Sequence, residues 1–174
     1  MLEDRETTAR FTLESVKWSD PRAIALRRAM DADTEQRYNA GGARHEDPAF
    51  TSKRARALAV ASSEVRATLL ALAPDGDPIG HAVLRRLGIE WELKKLFVTP
   101  RARGMGVATA LLVEAETRAA ADGAPRLILQ TGEKQPEAIA LYLRNGFTRI
   151  PVYEPYIETM ANSICFEKTF DTQI

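Results

Sequence analysis

The stretch that most restricts this chain is VTPRARGMGVATALL, residues 98–112. An extended run ends at Pro100, two arginines and two glycines follow, and apolar residues then recur at helical spacing. A strand, a glycine-rich turn and a helix in that order make a site for an anion. The first backbone N–H groups of a helix lack partners and carry about half a positive charge. Gly104 and Gly106 let the backbone curl and approach phosphate oxygens closely, and Arg103 adds a guanidinium fork. Read alone, the stretch also fits a softened turn beside a solvated arginine.

The nucleotide-kinase loop requires G-x-x-x-x-G-K-[ST], and no such lysine or spacing is present. The dinucleotide fingerprint requires a third glycine, where this chain has Thr109, and it opens the first βαβ unit of a sheet. Here the loop follows a fourth strand.

Elements around the loop are legible from periodicity. FTLESVKW (11–18) alternates as a first strand, and SDPRAIALRRAMDADTEQRY reads as a helix with Ser19 or Asp20 as its cap and Pro21 in its first turn. TSKRARALAVASS is a short helix or a loop. EVRATLLALA and IGHAVLRRLG are strands joined by the turn PDGDP, and EWELKKLFVTP is a third strand of that run. Residues 104–122 form a helix with Val107, Ala108, Leu111, Leu112, Ala115 and Ala119 as its apolar stripe. RLILQTG is a buried strand, QPEAIALYLRNG a helix, and FTRIPVY and SICFEKTF are closing strands. The expected fold is α/β (α+β): a mixed, mostly antiparallel sheet of about seven strands flanked by helices. Residues 1–10 read as a polar, flexible N-terminus and 11–174 as a single domain.

Composition narrows the partners. Lysine plus arginine and aspartate plus glutamate number 24 each, so there is no net pull toward nucleic acid or an anionic membrane. Cys165 is the single cysteine, which excludes an internal disulfide and a cysteine metal cluster. The start MLEDRETTARF lacks the apolar run of a signal peptide, and no stretch reaches the roughly 18 apolar residues of a membrane span. A cytoplasmic protein is expected, without metal, with a homodimer as an open assembly.

The run Arg103-Gly104-Met105-Gly106-Val107-Ala108 fits R-x-x-G-x-[GA] when counted from Arg101 or from Arg103, and it resembles the coenzyme A loop of the GCN5-related N-acetyltransferase (GNAT) family. Its context agrees: LKKLFVTP precedes it, the helix follows, and AIALYLRNGF, about 35 residues on, resembles the family's second CoA-side helix. The resemblance spans residues 91–150 and, by strand order, 64–170. It implies direct transfer of an acetyl group from acetyl-CoA to a primary amine. In its terms Leu96, Phe97 and Val98 present backbone to the pantetheine, with the Val98 N–H as oxyanion donor. Arg103 to Thr109 hold the pyrophosphate, and Gln130 and Gln135 are further CoA contacts. Tyr142 matches the general acid that protonates the leaving thiolate. Without the resemblance, Tyr142 reads as a half-buried ring in a helix stripe.

An amine of lysine-like pKa costs about 4–5 kcal/mol to deprotonate at neutral pH, so a base is useful. Glu92, or else Glu90 two residues away on the same strand face, is the candidate; solvent-facing glutamates are the plainer alternative. A bulge near Leu96 would change the facing, and no residue there announces one. His81, His45 and Cys165 read as structural or exposed. Tyr38, Tyr153, Tyr156 and Ser163 are candidates for shaping an acceptor pocket, with PVYEPYI as ordinary loop packing the equal alternative. A small-molecule amine, amino-acid-like, is the expected acceptor, with a peptide N-terminus or lysine as alternatives. A non-catalytic acyl-CoA-binding sensor on the same fold is the rival reading.

Overall fold

In the computed structural model, residues 10–42 and 45–171 are described. The expectation for the N-terminus therefore falls, except at Arg10, outside the described residues. The elements in chain order are β1 (Thr12–Val16), α1 (Pro21–Asn39), α2 (Pro48–Leu58), β2 (Val65–Leu72), β3 (Pro78–Leu87), β4 (Glu90–Val98), α3 (Val107–Ala121), β5 (Arg126–Thr131), α4 (Pro136–Arg144), β6 (Thr148–Ile150) and β7 (Ile164–Thr169). The seven strands form one sheet in the order β1-β2-β3-β4-β5-β7-β6. All neighbours are antiparallel except β4 and β5, which α3 joins by a parallel crossover. This is the mixed, mostly antiparallel sheet that the periodicity predicts.

Helix starts follow local chemistry. Asp20 and Asp47 each accept a backbone N–H two residues ahead, and proline occupies the first turn of both α1 and α2. TSKRARALAVASS thus contributes to a helix that begins upstream of it, at Pro48.

The main core lies between the sheet and α3. Val107, Leu111, Leu112, Ala115 and Ala119 pack on Leu69, Ala71, Ala82, Leu84 and Leu93. Burying each leucine there contributes about 1.5–3 kcal/mol. α3 sits close on β3 because Gly80 has no side chain. A Cβ at that position would stand 2.7 Å from Val107 Cγ1 and 3.0 Å from Leu111 Cδ1. On the other face a smaller cluster joins Ala23 and Leu26 of α1 to Leu70 and Phe97.

Strand β4 carries the irregularity that shapes the site. His81 faces Phe97 while Val83 faces Lys94, so β4 holds one residue more than β3 over that span. Lys95 takes a left-handed φ of 55°, the only positive φ outside glycine among the described residues. The bulge shifts the face alternation by one. Leu93, Leu96 and Val98 turn to the α3 core, while Phe97 joins the α1 cluster. A backbone bulge of this kind needs no marker residue, which is why no residue near Leu96 announces it.

Candidate active site

Beyond the bulge, β4 and β5 part. Their pairing covers only Glu92–Ile128 and Leu93–Leu129. Thr99 N–H donates to Ile79 C=O at 2.9 Å. By antiparallel alternation the neighbouring Val98 backbone groups point away from β3, into the gap left by β5. Arg103 Nε donates to Val98 O at 3.2 Å, tying the loop to that strand end.

The loop itself turns through Gly104 (φ 79°) and Gly106 (φ 84°), and Gly106 caps α3 with no side-chain hydrogen bond. α1 and α2 have aspartate caps; α3 leaves its first N–H groups open. Arg103 is also 3.2 Å from Asp33 of α1. Arg37, one turn on, bridges Asp33 at 3.4 Å and pairs with Glu137 of α4. The end of α1 thereby spans both arms of the gap.

These parts wall one cleft of about 1250 Å³, larger than the roughly 300–1,000 Å³ of common small-molecule sites. Leu96, Phe97, Val98, Arg103, Gly104, Gly106, Val107, Ala108, Thr109, Gln130, Gln135, Tyr38 and Tyr142 all line it. Met105 does not: its side chain packs against the α3 core instead. Tyr38 lies against Gly132, with its hydroxyl where a Cβ would stand. Gln130 Nε2 donates to Ser163 Oγ at 3.0 Å, closing the β5 wall against the loop before β7.

Tyr142 is 5% exposed, tilted against Phe147 and Phe166 with centroid distances of 5.8 and 5.7 Å. Burial pushes its phenol well above the ordinary value, so the hydroxyl stays protonated across the working range of pH.

Several candidate residues sit elsewhere than a cleft-contact role requires. Tyr156 is fully buried, and Tyr153 Oη is buried with no hydrogen-bond partner among the described residues; neither lines the cleft. The segment 151–163 folds back over the sheet, so its tyrosines point into the protein. Glu92 lies beneath that segment and is off the cleft wall too. Its carboxylate accepts Tyr156 Oη at 2.6 Å and Arg85 Nη2 at 3.3 and 3.4 Å. A base in direct contact with an acceptor would need an open face, which this carboxylate lacks. Glu90 is engaged by Arg126.

Two residues gain importance from the structure. Lys94, on the same strand face as Glu92, lines the cleft and donates to Tyr156 Oη at 2.8 Å. His81, fully buried, clamps the bulge: Nδ1 is 2.9 Å from Lys95 O and Nε2 is 3.2 Å from Arg27 Nη1. Guanidinium only donates, so Nε2 accepts and the ring proton sits on Nδ1. Sequence reasoning missed both roles; the signals that could have found them are a lone histidine inside the apolar run IGHAVL and the i, i+2 spacing of Glu92 and Lys94.

The residues fit coenzyme A by their own chemistry. An uncapped helix start, two left-handed glycines and Arg103 suit a pyrophosphate, and strand backbone facing an open gap suits an amide-bearing arm. Comparisons with known proteins agree. A Klebsiella pneumoniae protein provisionally assigned as an acyl-CoA N-acyltransferase is similar in structure, with a TM-score of 0.72 and 26% identity over 91% of this chain and 97% of that one. PaiA N-acetyltransferase of Thermoplasma acidophilum, solved with coenzyme A, shares the fold at a TM-score of 0.60 and 18% identity, over 91% of this chain and 99% of that one. A curated Azospirillum brasilense protein named IAA acetyltransferase is 42% identical over 65 residues, which is 37% of this chain and 42% of that relative. The profile of the Acetyltransferase (GNAT) family matches residues 25–147, the greater part of the sequence, and the chain belongs to that family.

Proposed function

We propose that the protein transfers the acetyl group of acetyl-CoA to the primary amine of a small, amino-acid-like molecule. The observation that carries this reading is convergence on one cleft: the open start of α3, the β4–β5 gap with Val98 backbone turned into it, and the Tyr142 wall. Acetyl-CoA supplies an activated thioester. Arg103, Gly104, Gly106 and the first N–H groups of α3 hold its pyrophosphate, with Gln130 and Gln135 on the opposite wall. As the amine nitrogen bonds to the carbonyl carbon, the Val98 N–H stabilises negative charge on the carbonyl oxygen. The C–S bond then breaks and the neutral Tyr142 phenol gives its proton to the departing thiolate. Of the two protons the ammonium loses, one returns through water to the Tyr142 oxygen and one passes to solvent. Glu92 acts indirectly, as a positioning residue that fixes Tyr156 and Lys94 at the acceptor end.

The test is thiol release from acetyl-CoA by the purified protein across a panel of amines, with acetyl-CoA-dependent thermal stabilisation measured alongside. Turnover with at least one small amine is expected. Stabilisation by acetyl-CoA without turnover of any amine or peptide would replace this reading with a binding protein.

A further inference from the structure

Lys94 is the single buried charged residue on the cleft wall among the described residues, at 6% exposure. The other charged groups lining the cleft, such as Glu35, Arg54 and Arg103, are intermediate or exposed. A desolvated charge acts on a ligand with far less screening than a surface one.

Its surroundings leave that charge short of compensation. Arg85 and Lys94 are two buried cations that share one buried carboxylate, Glu92; Arg85 has a second partner in the half-open Glu64 at 3.0 Å. Lys94 Nζ is 3.6 Å from Glu92, an ion pair beyond hydrogen-bonding range, and it donates to the neutral Tyr156 Oη at 2.8 Å. An ammonium has three protons to place, so capacity remains. Burial lowers the Lys94 pKa to about 8, with Glu92 opposing that shift and Arg85 and Lys95 adding to it. The groups facing it are thus Glu92 and Lys95 on its own strand, Arg85 on β3, Cys165 on β7 and Tyr156 on the covering segment.

Lys94 also stands at the acceptor end. Leu96 to Val98 follow it on β4, so one strand serves both donor and acceptor. Arg85 Nη1 donates to Ala59 O at 3.1 Å, bringing the buried cluster against the end of α2, whose Leu58 lines the cleft. Thr159 and Met160, just after Tyr156, line it from the other side. We infer that Lys94 is a specificity-determining residue that receives a carboxylate of the acceptor, so that the preferred acceptor is an amino acid and not a simple amine or a polyamine. The buried cation, whose one carboxylate partner stands at 3.6 Å and is shared with Arg85, attracts an anionic group and repels a second ammonium, and the same charge disfavours the protonated form of the acceptor's amine. This inference rests on the amine-acetylation reading and deepens it.

The test uses thiol release with matched pairs, each an amino acid and its decarboxylated amine, on the wild-type protein and on Lys94→Met. In the wild type the carboxylate-bearing member should be favoured about 10- to 100-fold in kcat/KM, and in Lys94→Met that ratio should collapse toward one. The wild-type ratio should also shrink as pH rises from 7 to above 9, a readout that needs no variant. Equal turnover within pairs, a preference for the decarboxylated member, or a preference that survives in Lys94→Met would overturn the inference while leaving amine acetylation standing. Acetyl-CoA-dependent thermal stabilisation reports whether the variant is folded. If no amine turns over, the amine reading fails, and the inference is judged by binding alone. CoA-saturated protein should then be stabilised more by N-acetyl amino acids than by their carboxamides, and equal stabilisation would overturn it.

Discussion

Tyr156 Oη donates to Glu92 Oε1 at 2.6 Å, with both side chains fully buried. That hydroxyl also accepts from Lys94 and Arg85, so one oxygen links three ionisable groups. Buried networks of this kind are costly when half satisfied. Tyr156→Phe should lower the unfolding free energy by about 1–3 kcal/mol. Chemical denaturation at neutral pH is the measurement, and an unchanged midpoint would show that the hydroxyl is not holding the cluster together.

His81 gives the fold a pH dependence of defined sign. Burial holds its pKa near 4, below the ordinary 6.5, although the Lys95 carbonyl pulls the other way. Below pH 6.5 the unfolded ring gains a proton that the folded ring refuses until about pH 4. The unfolded state therefore binds more protons in that window, and stability falls as pH drops from 6.5 to 4. That contribution, about 3 kcal/mol, is present in full above pH 6.5 and is gone by about pH 4. His81→Asn should unfold more readily at pH 7 and show a shallower acid decline. Equal slopes in the two proteins would remove His81 from the account.

Tyr142→Phe keeps the ring packing against Phe147 and Phe166 and removes only the hydroxyl. Loss of a general acid lowers kcat about 100-fold or more. The KM for acetyl-CoA and the unfolding midpoint should hardly move. A kcat equal to that of the wild type at saturating substrates would assign thiolate protonation to another group.

Arg103 and Asp33 make a pair whose members should have opposite effects. Arg103→Ala removes a guanidinium from the loop and should raise the acetyl-CoA KM about 10-fold. Asp33→Asn frees Arg103 from a competing carboxylate and should lower that KM by about two- to fourfold, the scale of an exposed ion pair. Titrating acetyl-CoA at fixed acceptor distinguishes them; shifts of the same sign would argue against Arg103 meeting the pyrophosphate.

Much of this fold was legible because its signals are local. The aspartate–proline starts of α1 and α2, the apolar stripe of α3 and the glycine loop at 104–106 each announce themselves within a few residues. What escaped depends on distant packing. The Lys95 bulge is set by His81 from another strand and by the register of β3, so no residue within LKKLFV reveals it. Tyr153 and Tyr156 read as pocket residues from their place before the final strand, where the family resemblance puts acceptor recognition, with ordinary loop packing of PVYEPYI as the alternative. They turn inward because Arg85, Glu92 and Lys94 offer a buried polar layer that only the folded sheet assembles. Glu92 is on the strand expected, and its environment is fixed by that same layer.

Lys94 should be a residue kept at a cost to stability. Its pKa of about 8 in the fold lies below the ordinary 10.5, with burial as the main cause. Below pH 8 both folded and unfolded states carry the proton, so the penalty of burying it is fully present at pH 7. It is relieved as pH rises from 8 to 10.5, where the unfolded chain still holds a proton that the folded one has released. Lys94→Met keeps the aliphatic bulk, removes a buried cation and leaves Glu92 with Arg85 and Tyr156. The variant should therefore be more stable than the wild type by about 1–3 kcal/mol at pH 7, and the gain should narrow toward pH 10. Denaturant unfolding of both proteins across that range is the measurement. A lysine present only to complete the buried cluster predicts the opposite sign, so a destabilised Lys94→Met would mark Lys94 as structural.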